Sequence, residues 1–182
     1  MARLVKSIKS GSNVTGLGEI TPSDTVEDAL IFADNVALKF GTNSDVSILY
    51  DESTDDRLEI SGGEVFVDNT LTAKRGVGTT LTDTSNTGSV TLDFSASQNF
   101  VLTLTGNVTL ANPSTEAVGQ SGFIVFIQDS TGGRTVSLDT DYETAAGAGL
   151  TLSSTASTTD IVPYIVAASG RILLGAPQLA FA

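Results

Sequence analysis

The stretch that most constrains the fold is Gly122 to Leu138, GFIVFIQDSTGGRTVSL. Phe123, Ile124, Val125, Phe126 and Ile127 are all apolar, and β-branched or aromatic side chains dominate, which favours a strand. Period-2 alternation turns Phe123, Val125 and Ile127 one way and Ile124 and Phe126 the other. A strand apolar on both faces needs cover on both, in the middle of a sandwich or at a subunit contact. Asp129-Ser130-Thr131-Gly132-Gly133 then supplies turn chemistry, and Val136 and Leu138 alternate with Thr135 and Ser137 beyond it. The pattern predicts a β-hairpin with one deeply buried arm.

The other apolar bursts are equally short and separated by Ser, Thr, Asn, Asp and Gly, which makes the whole chain read as all-β. Residues 1–34 form an N-terminal arm with a short helix or strand. Arg3, Leu4, Val5, Lys6, Ile8 and Lys9 suggest an extended arm, or one strand that pairs with something else. Asp24-Thr25-Val26-Glu27 suits a helix start, although Ala29 to Phe32 reads nearly as well as a strand. Residues 35–75 form a β-meander: Val36 to Phe40, Val46 to Tyr50, Arg57 to Ile60 and Glu64 to Asp68, with polar turns between. Residues 76–182 form an antiparallel, jelly-roll-like β-sandwich, in which the Thr/Gly/Asn-rich stretch to Gly88 reads as boundary and strands begin at Val90. Phe100 to Leu110 reads as one long strand with a bulge at Gly106, or as a tight Gly-Asn hairpin. Pro163 cannot donate to a ladder, which places it at an edge or a bulge.

Charge and composition narrow the function. The formal net charge of −12 argues against nucleic acid as a partner, since phosphate binding runs on Lys and Arg. With no His and no Cys, a Ser-His-Asp triad and thiolate chemistry are excluded. No run approaches the roughly 20 apolar residues of a membrane span, so no membrane partner is expected. The basic start lacks an apolar segment after it, so no signal peptide is read and release by lysis is the expected route for any extracellular use.

Candidate sites are few. The loop Asp51-Glu52-Ser53-Thr54-Asp55-Asp56 offers oxygens of the kind Ca²⁺ takes, but lacks the Gly of an EF-hand loop and reads better as a solvated turn. Gly132-Gly133-Arg134 has the look of an anion nest, with no phosphate-loop Lys-Ser/Thr after it. Asp139, Asp141 and Glu143 are carboxylates of the type glycoside hydrolysis needs, yet the chain has no Trp for a sugar platform. No catalytic residue, cofactor or metal is assigned. The functional residues with most support are partner-binding ones, Arg3, Leu4, Lys6, Ile8 and Lys9. Their apolar members give a basic arm something to bury against an acidic shell.

Two segments resemble known proteins. Ala37-Leu38-Lys39-Phe40-Gly41, followed by Asp45 to Asp51 (DVSILYD), resembles a repeat of fibre-like structural proteins of tailed phages. Phe100 to Asn107, Asn112-Pro113, Phe126 to Val136 and the late strand Ile161 to Val166 are similar to a module of phage virion proteins. The resemblance implies a virion structural role, an all-β fold and a trimer. The chain lacks the extended shaft of a long fibre. The expectation is therefore a non-enzymatic, homotrimeric capsid decoration (cement) protein on the head surface, its arm and meander engaging the major capsid protein or other virion proteins. A short tail fibre or receptor-binding tip is the alternative, and a host polysaccharide depolymerase the remote one.

Overall fold

The computed structural model describes residues 5–10, 13–19, 37–40, 46–51, 57–62 and 65–181. The chain divides into two compact units, Met1–Thr72 and Ala73–Ala182. The first unit contains an antiparallel pair, β1 (Val5–Ser10) with β2 (Asn13–Glu19), so the expected arm strand finds its partner in the Gly/Ser/Asn stretch just after it. It also contains the meander β3 (Leu38–Phe40), β4 (Val46–Asp51) and β5 (Arg57–Ser61), antiparallel in that order. The fourth expected strand is not formed at 65–68, where Phe66 is 86 % exposed. A strand exists by its ladder, and no partner ladder is present there. The helix-or-strand segment at 25–32 lies outside the described residues.

The second unit is one curled eight-stranded sheet. Its strands are β6 (Thr80–Thr91), β7 (Asn99–Ala111), β8 (Ser121–Gln128), β9 (Val136–Leu138), β10 (Tyr142–Glu143), β11 (Thr159–Ala168), β12 (Arg171–Leu174) and β13 (Gln178–Phe181). The path is β10-β12-β11-β8-β7-β6, with β9 beside β7 and β13 beside β11. The all-β, sandwich-like expectation holds, but the strand directions differ from it. β6, β7 and β8 are mutually parallel, β9 is parallel to β7 and β10 to β12; only the pairs made by β11 are antiparallel. The reason lies in the connections. Residues 92–98 and 112–120 are return crossings that bring the chain back to the start of the sheet rather than hairpin turns. Gln98 and Asn99 N–H groups donate to Thr79 O, and Gln98 Nε2 donates to Ser121 O.

Chain length forces the curl. β7 has 13 residues and would be about 40 Å long if straight. The return from Thr91, paired with Ala111, to Asn99, paired with Thr80, reaches at most about 29 Å. β7 must therefore bend, and its register with β6 slips twice, between Leu102 and Leu104 and between Leu104 and Val108. This decides the long-strand reading over the hairpin reading. A Cβ at Gly106 would overlap Thr87 Oγ1 and lie 2.9 Å from Thr87 Cβ, so only glycine fits the bend. The buried Asn86 side chain stitches the slip, donating to Asp83 O and Thr103 O.

The predicted hairpin at 122–138 is an interrupted strand instead. β8 pairs with Phe100 to Leu104 and β9 with Val108 to Leu110, both parallel to β7, with 129–135 as an excursion between them. Gln128, 3 % exposed, closes the gap by accepting from Arg134 N and donating to Arg134 O.

The core lies inside the curl. Among the described residues the buried apolar cluster runs from Leu92 to Leu174, and each fully buried member contributes about 1.5–3 kcal/mol by leaving water. Leu92 and Phe94 reach it from the first return crossing. Phe94 packs edge-on to Phe100 and Tyr164, with ring centres at 5.1 and 5.3 Å. Pro163 is in an interior strand, not at an edge: Gly175 N donates to Pro163 O in the gap between β12 and β13, where a missing donor costs nothing.

Candidate functional site

Of the residues expected to bind a partner, Arg3 and Leu4 lie outside the described residues. Lys6, Ile8 and Lys9 belong to β1, where Lys6 stands opposite Gly18 and Lys9 opposite Val14. Of the acidic loop, Asp51 ends β4 and residues 52–56 lie outside the described set. Among the described residues no three His, Cys, Asp or Glu side chains gather as a metal set, and no helix is long and apolar enough to cross a membrane.

The Gly132-Gly133-Arg134 loop does not present a vacant nest. Asp129 Oδ1 accepts the Thr131 and Gly132 N–H, Gly133 N donates to Ser154 O, and Arg134 N donates to Gln128. Arg134 Nη2 meets Asp129 Oδ2 at 2.8 Å, and this hydrogen bond, helped by the loop N–H groups, holds the Asp129 carboxyl below the usual carboxylate range. The loop supplies its own anion.

Asp139 and Glu143 line an open groove of about 500 Å³ with Tyr142 and Thr144. Glu143 is bidentate with Arg171, at 2.9 and 3.1 Å, which depresses its pKa. Asp139 Oδ1 accepts the Thr140 N–H. A glycosidase acid needs a raised pKa and a free carboxyl. Glu143 has neither. Burial pushes the Tyr142 hydroxyl up, and the charges of Asp141 and Glu116 push it further the same way, so it stays protonated.

A second concavity, about 740 Å³, lies on the outward face of the sheet. Val101, Phe123, Val125, Ile161 and Pro163 form its floor, with Gln98, Asn99 and Ser121 at one end. Its polar groups are engaged internally: Tyr164 OH donates to Gln98 O at 2.6 Å and Phe123 N donates to Asn99 Oδ1. Gly122 is obligatory here, since a Cβ would strike Gln98 O and come within 3.1 Å of the Tyr164 ring. The opening strand Phe123 to Ile127 thus splits in two. Ile124 and Phe126 are in the core, while Phe123 is 49 % exposed. The sequence indicated that both faces of this strand are apolar, but not that one would face outward in the single chain. This face suits contact, because it offers apolar area and few free polar groups.

A family model described as "Putative phage tail fibre C-terminal domain" matches residues 77–170, just over half of the chain and most of the curled sheet. No curated protein matches the chain.

Proposed function

Since this chain belongs to the phage tail fibre C-terminal domain family, and is thereby a structural protein of a tailed-phage virion, we propose that it is a component of the tail fibre. In this reading it is non-enzymatic, assembles as a homotrimer and serves as a short fibre or its tip. The observation that carries the reading is the match over 77–170, which spans the return crossings, the bend at Gly106 and the interrupted β8–β9 strand. Head decoration was the leading expectation from chain length; the family match favours the tail fibre. The internally engaged carboxylates support a structural role over hydrolysis of host polysaccharide.

The test is the copy number of the chain in purified particles, measured by quantitative mass spectrometry against the major capsid protein. A fibre component is present in a few to a few tens of copies per particle. Hundreds of copies would overturn the reading in favour of head decoration.

A further inference from the structure

β7 and β8 contain no charged residue, and the one in β11, Asp160, points into the core. Register aligns the outward side chains of these strands. Val101, Val125 and Ile161 form one row, Phe123 stands beside Pro163 in the next, and Ile165 follows beyond. Phe123 is 49 % and Ile165 46 % exposed. The edge strand β6, exposed along most of its length, reads TLTDTSNTGSVT instead, so the apolar rows differ from what this wet edge carries.

From this placement we infer that the outward face of β7, β8 and β11 is the surface on which a second copy of the chain docks, with Phe123 as its anchor. Charge and area point to that occupant. A different partner of an acidic protein is selected by complementary charge, and this face presents none. Two copies, each carrying a net charge of −12, meet with least repulsion and no charge to desolvate where both surfaces are neutral. Phe123 and Ile165 are each about half exposed within this face, and the largest apolar patch of a monomer, about 300–600 Å², is often functional. A standard interface takes about 800 Å² from each partner. The patch makes the dry centre of such an interface, and Asn99, Thr103 and Thr159 around it make the polar rim. A threefold arrangement turns each copy's face toward the common axis.

This inference rests on the self-assembling reading above, and one experiment separates the two. The mass of the full chain in solution is measured by light scattering for wild type, Phe123→Asp and Ile165→Asp. Wild type is expected at three times the 18.7 kDa of one chain, and the variants at the single-chain mass with an unchanged far-ultraviolet spectrum. Because a variant can fail to fold, a thiol is also used, the chain having no Cys of its own. Maleimide should label Phe123→Cys roughly tenfold or more slower than Ser130→Cys in the native protein, as for a residue reached only by opening, and equally after unfolding. A monomeric wild type defeats the self-assembling reading and this inference with it, and a slow thiol in that monomer means that another segment of the same chain covers the face. A wild-type oligomer that labels equally fast at both positions rejects this face alone.

Discussion

Tyr164 joins several parts of the fold through one ring: it packs on Phe94 and Phe100, and its hydroxyl fixes the first return crossing through Gln98 O. Burial pushes its pKa from 10.0 up to about 12. The sign follows from linkage. Below pH 10 the tyrosine is neutral in both folded and unfolded chains, and its contribution is fully present. Above that the unfolded chain ionises first, so stability falls as pH climbs toward about 12. Urea unfolding across this window is expected to show a downward slope that Tyr164→Phe makes shallower. An unchanged slope would contradict this account of Tyr164. Residues such as Tyr164 are legible as core from alternation, but the polar stitches are not. Asn86, Gln128 and Asp160 are buried because the ladder breaks beside them. Asp160 accepts from Ser153 N, Ser153 Oγ and Ala180 N, tying the 150–158 loop and β13 to β11. Nothing in sequence spacing says where a ladder will break.

The elements themselves were largely readable, because apolar alternation marks β4, β7, β8 and β11 directly. Their directions were not. Alternation is the same for parallel and antiparallel neighbours, and turn-like residues such as Asp129 to Gly133 serve an excursion as well as a hairpin. Residues 80–88 of β6 read as boundary, with a strand only from Val90, because an exposed edge strand carries Thr and Ser with little apolar period. The bend of β7 is where the topology can be tested by substitution. Gly106→Ala should destabilise the fold by about 1–3 kcal/mol through overlap with Thr87. Adding Thr87→Gly should recover much of that overlap cost, so a denaturant double-mutant cycle should show strong coupling between the two positions. A neutral Gly106→Ala, or the same loss in both backgrounds, would mean that the bend is placed wrongly.

At the scale of the molecule, the second unit is a curled sheet with its core on one face and, over β7, β8 and β11, an apolar and uncharged surface on the other. The basic segment with Lys6, Ile8 and Lys9 belongs to the other unit. The chain belongs to a phage tail fibre C-terminal domain family, and the tail location is the proposal to be tested. The measurement that tests this most directly is immunogold electron microscopy of intact particles with antibody to this chain. Gold confined to the tail or its fibres is the predicted result. Gold spread over the heads would contradict the fibre assignment, and unlabelled particles would contradict the virion role itself.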